Sequence, residues 1–518
     1  MRLPTMKAFV SMLALGAAMA LVVEGPVARA SEPPAEGQKE VGPREELASR
    51  DHKMVINGKT IAYNASAGTL IITDDDGVPR GRIFYTAYTA QGTSAGKPRP
   101  LTFFNNGGPG SASLWLNVGG FGPKRPPTLT PKATLPAPYV VQDNPYSLLD
   151  KSDLIFIDAI GTGYSRPIGD TKGKTFWGVD ADIDSFARAI NRYITKNDRW
   201  NSPRYLFGES YGTTRSAGLV YKLQNQGMDF NGVVLMSTIL NSGTGLPGVD
   251  LEDIGRVPSF AATAWYHGKS ATHPADLMAY LDEVRAFALG PYASALLKGD
   301  RLSAEEMDAV ARTLSGYIGL SVDFLKKNKL RVGMEQYRGA LMADQGLIIG
   351  RFDTRFTAPA SYVSGDGSYD PATNDAATAG VNSAHLSTFQ DHLARDIGYK
   401  PDLQYRPLYN GVIAPAWDNH HKAPGIDEPI PVPNTALDLA GAMQRNPNLN
   451  VMVIAGLYDL ATPFAGAEFD VSHLYLTPNL RQNISFSYYE SGHMTYVDEA
   501  ASRKLKVDLD RFYDATTR

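Results

Sequence analysis

The pentapeptide Gly208-Glu209-Ser210-Tyr211-Gly212 lies between an apolar run, Tyr205-Leu206-Phe207, and a helical pattern from Arg215 to Leu223. A serine flanked in this way sits on a sharp turn from strand to helix. Its backbone is strained there, and the glycines on either side let neighbouring chain approach closely. The turn exposes the hydroxyl at a helix N-terminus, where the dipole favours negative charge. The pentapeptide alone occurs by chance; the strand before it and the helix after it give it meaning.

The surrounding chain supplies the framework such a turn needs. Leu101-Thr102-Phe103-Phe104, Leu154-Ile155-Phe156-Ile157, Val233-Val234-Leu235-Met236 and Val451-Met452-Val453-Ile454 are short, β-branched or aromatic runs. Such runs suit strands buried on both faces of a mostly parallel sheet. Helical patterns such as Ile183 to Thr195 lie between them, so strand and helix alternate. The expected fold is therefore α/β, specifically an α/β-hydrolase fold: a mostly parallel central sheet flanked by helices. Before it, Thr60 to Tyr63 and Thr69 to Thr73 read as two strands. Asp74-Asp75-Asp76-Gly77 reads as a turn ahead of a third, Gly81 to Tyr85.

Alternation stops between residues 251 and 430. Leu277, Leu281, Val284 and Ala288 share one helical face, and Ser303 with Glu306 forms a capping-box pattern ahead of Met307, Val310 and Leu314. This segment is expected to be a mainly helical cap insertion over the sheet's C-terminal edge; a separate second domain is the other reading of its composition. The hydrolase core then comprises residues 54–250 and 431–518. Ala501, Leu505, Leu509 and Phe512 give a closing amphipathic helix.

A serine hydroxyl needs a base, and the base needs a carboxylate to orient it. In this fold the chain order is Ser, then Asp or Glu, then His. Two histidines follow the last long apolar run, His473 and His493. His493 follows the alternating strand Ile484 to Tyr488 on a Gly-containing loop, where a base belongs; His473 reads as a surface or packing element. For the acid, Asp459 closes the turn Gly456-Leu457-Tyr458-Asp459 after a core strand. Asp470, its rival, falls in a helical stretch and reads as a solvated charge. Ser210, Asp459 and His493 are thus the candidate catalytic residues.

Asn105-Asn106-Gly107-Gly108-Pro109-Gly110-Ser111 follows the strand ending at Phe104. Consecutive glycines let backbone N–H groups point at a bound oxygen, although a plain tight turn would use the same residues. Taken together, Asn106-Gly107-Gly108-Pro109-Gly110, Gly208-Glu209-Ser210-Tyr211, Asp459 and Gly492-His493-Met494 resemble the serine carboxypeptidase family. So does the run from Leu154 to Asp158 with Gly163-Tyr164-Ser165. The likeness is confined to islands between about Phe103 and Met494, and it suggests a bacterial-type member without cysteines. It implies that the Gly108 and Tyr211 N–H groups form an oxyanion hole, and that Asn106, Glu209 and the Gly107 N–H hold the substrate's terminal carboxylate. Two carboxylates can meet there only by sharing a proton, so that binding should weaken as pH rises.

Several positions depart from the family. Phe104 stands where it has Trp, and Gly120 aligns with a second Glu. Ser111-Ala112-Ser113 replaces Cys-Ser-Ser, and Gly212-Thr213 replaces Ala-Gly. The triad is untouched, while the carboxylate clamp loses polar members.

At the start of the chain, Arg2 and Lys7 precede an apolar run from Ala8 to Val23, and Ala28-Arg29-Ala30 offers small residues for cleavage. This reads as a signal peptide over residues 1–30 rather than an uncleaved membrane anchor. A flexible leader, 31–53, is expected after it. The protein is then exported, periplasmic or secreted, with no stable membrane insertion after cleavage.

Fifty basic against 54 acidic residues give no electrostatic reason for a nucleic-acid partner. The absence of cysteine removes thiol nucleophiles, iron–sulfur clusters, cysteine-ligated zinc and disulfides. The expected activity is that of a serine-type carboxypeptidase acting on peptides through an acyl-enzyme on Ser210, with no metal or organic cofactor. An esterase, an acyltransferase or another peptidase could use the same triad. A non-catalytic binding protein and a structural envelope protein are readings from other classes.

Overall fold

The computed structural model describes residues 43–92, 98–363 and 375–517. The expected signal peptide, and the leader as far as residue 42, lie outside them. Pro43–Arg518 forms one compact unit.

Nine strands make the main path of the sheet: β1 (Leu47–Ile56), β2 (Lys59–Thr73), β3 (Pro79–Ala90), β4 (Leu101–Asn105), β5 (Asp153–Ile157), β6 (Arg204–Glu209), β7 (Gly232–Met236), β8 (Asn450–Gly456) and β9 (Ile484–Tyr489). Their spatial order is β1-β2-β3-β5-β4-β6-β7-β8-β9, with a two-residue strand at Arg166–Pro167 beside β3. The first three are antiparallel to their neighbours. From β5 to β9 every pairing is parallel.

Alternating residues in each strand feed two cores. Phe103, Ile155, Leu206, Val233 and Val453 pack on one face. Phe104, Phe156, Phe207, Val234 and Ile454 pack on the other. Helices α1 (Val179–Lys196) and α2 (Tyr211–Asn225) cover the first face. The helix at Glu499–Thr516 covers the second through Leu505, Leu509 and Phe512. Burial on both sides explains why β4, β5 and β7 carry no exposed residue.

Residues 251–349 are mainly helical, beginning with α3 (Leu251–Tyr266), α4 (Leu277–Phe287) and α5 (Ala304–Ile318). Ser303 and Glu306 make the capping box in full. A third core, with Phe260, Leu281 and Leu314, takes in Leu457, Tyr458 and Leu460 beyond β8, so this segment rests on the sheet's C-terminal end. A short hairpin, Leu347–Ile349 with Thr357–Pro359, follows it.

Three expectations need correction. β1 starts at Leu47, inside the stretch 31–53 read as a flexible leader: its ten residues pair with β2 along their whole length. The two strands read at 60–63 and 69–73 are one, since pairing on both sides carries Asn64-Ala65-Ser66-Ala67-Gly68 through despite its weak β-propensity. Asp470 is no solvated charge. It is buried and accepts hydrogen bonds from the Leu240 and Asn241 N–H groups, at 3.0 and 3.1 Å. Burial pushes its carboxyl up to about 6.

Candidate active site

Parallel strands deliver their following loops to one edge, and ligands bind there in open α/β sheets. The end of β6 and the loops after β4, β6, β8 and β9 bring Asn106, Gly107, Gly108, Glu209, Ser210, Tyr211, Thr462 and His493 to the wall of one cavity of about 530 Å³. Asp459 lies behind that wall.

Ser210 has φ 60° and ψ −130°, a conformation that costs an L-residue energy and persists only when its surroundings hold it. Here they do. Its N–H donates to the Met236 carbonyl at 3.0 Å, and its own carbonyl accepts from the Thr213 N–H at 2.8 Å. A β-carbon on Gly208 would sit 2.1 Å from the Gly212 carbonyl oxygen, and one on Gly212 would sit 2.5 Å from that of Asn105. Larger residues at either place would push the elbow off the sheet.

His493 Nδ1 donates to Asp459 Oδ2 at 2.7 Å. The other oxygen of Asp459 accepts from the N–H groups of Ala461 and Thr462 at 2.7 and 3.0 Å, and the Thr462 hydroxyl adds a bond of 2.6 Å to Oδ2. The carboxylate is thereby locked, and with it the imidazole tautomer. The His493 loop is fixed from two more directions. Its N–H donates to the Phe352 carbonyl at 2.6 Å, and its carbonyl accepts from the Ser237 hydroxyl at 2.7 Å. Burial opposes charge on the imidazole, but Asp459 and Glu209 outweigh it and hold the pKa above its usual value.

Glu209 is buried beside Ser210. Burial pushes its carboxyl up to about 7, against the opposing pull of His493, Tyr496 and Asn106, while Asp459 adds to the rise. Its Oε2 is buried without a hydrogen-bond partner. Asn106 Oδ1 accepts from the Leu116 N–H at 3.1 Å, which turns its NH₂ group to act as donor on the other side.

Two residues unremarked in the sequence support this wall. Arg215, fully buried in α2, donates to Asp182 at 2.6 Å, to Asn105 Oδ1 at 3.0 Å and to the Asn106 carbonyl at 2.7 Å. It clamps the glycine loop to α1 and α2. No local pattern pairs residue 182 with 215, although a charge inside each buried helical face is a signal in hindsight. Tyr496 is the second. A β-carbon on Gly120 would sit 3.2 Å from its ring, so the tyrosine fills the space beside the position where the family has its second Glu. Phe104 stacks on Phe156 and Phe207, at 4.5 and 5.0 Å between ring centres, and takes no part in the cavity wall. Asp158 is buried too, accepting from the Ser113 N–H at 2.7 Å, and steadies the loop from below.

The cap side contributes Arg351 and Phe352 to the wall. Their loop is braced by Arg355, which binds Asp353 at 2.7 Å and Asp498 at 3.0 Å. None of this could be read from a segment without recognisable motifs. Among the described residues no cluster of His, Asp and Glu could hold a metal ion. An alcohol and, in the same cavity wall, an imidazole held by a carboxylate are equipment of acyl transfer.

Residues 66–245 match the family model described as serine carboxypeptidase. No curated protein matches the chain in sequence. Among solved structures, a prohormone-processing carboxypeptidase from Saccharomyces cerevisiae is similar with a TM-score of 0.54 at 14% identity, covering 88% of this chain and 92% of the other. At that identity the likeness is one of fold. A proline iminopeptidase from Mycobacterium smegmatis matches at a TM-score of 0.35 and 13% identity, over 87% of this chain and 98% of the other.

Proposed function

We propose that this chain, a serine hydrolase with an α/β-hydrolase fold and a serine carboxypeptidase segment over residues 66–245, releases C-terminal residues from peptides. The observation that carries the reading is Glu209: a buried carboxyl beside Ser210, raised to about 7, with an oxygen left without a partner. A neutral carboxyl can share its proton with a substrate carboxylate.

In this reading Asn106, Glu209 and the Gly107 N–H hold the terminal carboxylate. His493 takes the Ser210 proton as the hydroxyl oxygen attacks the scissile carbonyl carbon. The Gly108 and Tyr211 N–H groups stabilise the oxyanion, and Asp459 holds the imidazole. His493 returns the proton to the leaving amine as the C–N bond breaks, and water then hydrolyses the ester on Ser210. The leading segment supports export, to the periplasm or beyond.

Phe104 and Gly120 favour a second reading, an esterase, acyltransferase or other peptidase on the same triad, because both remove polar groups from the clamp. Peptide pairs with free and amidated C-termini, followed by mass spectrometry, separate the two. Stepwise loss from free C-termini alone is expected. Equal cleavage of both forms would discard the clamp, and turnover by Ser210→Ala at the wild-type rate would discard the nucleophile.

A further inference from the structure

The cavity wall has a second place for an anion. Among the described residues lining it, Glu209, Arg351 and His493 are the ones that can carry charge, and Arg351 is the permanent cation. Its backbone is anchored on both sides: the N–H donates to the Asp375 carboxylate, and the carbonyl accepts from the Leu460 N–H at 3.1 Å. Its guanidinium lies 5.4 Å from the centre of the Phe352 ring, which in turn packs 5.0 Å from the His493 ring. The charge is therefore held within two residues' width of the catalytic base.

Arg351 Nε is buried and has no hydrogen-bond partner among the described residues. A buried guanidinium donor left unpaired costs free energy, which an incoming acceptor recovers. The guanidinium of Arg351 lies by the Phe352 ring in the wall that the cap side supplies, whereas Glu209 stands at the end of β6 with Asn106 and Tyr496 beside it. The two groups thus address different parts of a bound substrate, and the terminal carboxylate already has Glu209.

We propose that Arg351 selects peptides with a carboxylate side chain, Asp or Glu, on a residue flanking the bond that is cut. The inference rests on the carboxypeptidase reading above. A lysine or arginine side chain in the same place would meet a like charge and be disfavoured.

The test uses the full-length protein and peptides blocked at the N-terminus, free at the C-terminus, that differ only in carrying Glu, Gln or Lys at the last or the penultimate position. The ratio of kcat/KM for Glu over Gln is expected to be about tenfold or more at one of the two positions, as a charge-assisted bond to an uncharged competitor requires. That ratio should collapse in Arg351→Gln, survive in part in Arg351→Lys, and turn toward Lys peptides in Arg351→Glu. Circular dichroism and fluorophosphonate labelling check that each variant is folded. If the wild type trims these peptides without preferring Glu over Gln at either position, the assignment is overturned, whatever the variants do. An unchanged ratio in folded Arg351→Gln overturns it as well. If the wild type releases nothing from any free C-terminus while Ser210 is labelled, the carboxypeptidase reading falls and the selectivity falls with it.

Discussion

Gly107 lies so close to the elbow that a β-carbon on it would sit 2.4 Å from the Tyr211 backbone nitrogen and 2.8 Å from the Glu209 carbonyl oxygen. The loop after β4, one residue before the proposed Gly108 oxyanion donor, is thus in contact with the turn after β6 at the proposed Tyr211 donor. Gly107→Ala must force them apart, because the obstructing atoms are backbone and cannot rotate away. Its kcat on an activated ester is expected to fall by about 10²-fold or more, the usual cost of misplacing an oxyanion donor. Steady-state kinetics with thermal unfolding alongside would check this; an alanine variant with wild-type kcat would refute it.

In the proposed carboxylate clamp, Glu209 would tie binding to pH. With its carboxyl at about 7, it is neutral in acid and ionised in alkali. KM for peptides with free C-termini should therefore rise as pH passes upward through about 7, while KM for esters without a carboxylate should not follow. The same shift affects folding. A carboxyl whose folded pKa lies above its unfolded value binds more protons when folded, so its contribution declines as pH rises from about 4.5 to about 7. Glu209→Gln should accordingly gain on the wild type over that interval, by on the order of 3 kcal/mol at 1.36 kcal/mol per pH unit. Urea unfolding at pH 4 and pH 8 measures the difference, and equal gains at both would contradict the assignment.

Tyr496 sets where that titration falls. It pulls the Glu209 carboxyl downward, against burial, and it occupies the space next to Gly120. Removing only the hydroxyl, in Tyr496→Phe, should move the midpoint of the KM profile upward. An unmoved midpoint would mean that the hydroxyl does not act on the carboxyl.

The parts of this site that were legible in the sequence are those whose chemistry demands a local pattern. A nucleophile elbow needs glycines around Ser210 and a strand before it, and buried parallel strands need apolar runs, so the elbow and the core strands could be placed. His493 and Asp459 followed from strand ends and chain order. The supporting residues have no such local requirement. Arg215 meets Asp182 across two helices, Tyr496 meets Glu209 from a loop after β9, and Arg351 arrives from the cap. Each depends on tertiary approach between segments far apart in the chain. Asp470 was misread for the same reason: its partners, the Leu240 and Asn241 N–H groups, are 230 and 229 residues away.

His421 offers a test of the cavity's outer wall. Its ring lies between two carboxylates, Asp180 at 2.5 Å and Asp438 at 2.8 Å. Burial disfavours its charge, yet the two aspartates outweigh that and raise it to about 9. The imidazolium thus pins the loop that carries Trp417 and Asn419, both in the cavity wall, to α1 and to the helix at Ala436–Arg445. Because the folded pKa lies above the ordinary histidine value of about 6.5, its stabilisation is complete below that pH and is lost as pH climbs through about 9. His421→Leu leaves two carboxylates facing each other without the cation between them. It should therefore unfold at lower temperature than the wild type at pH 6, with the gap narrowing by pH 10. Calorimetry across that range decides it: a gap that stays constant with pH would show that the ring contributes by packing alone.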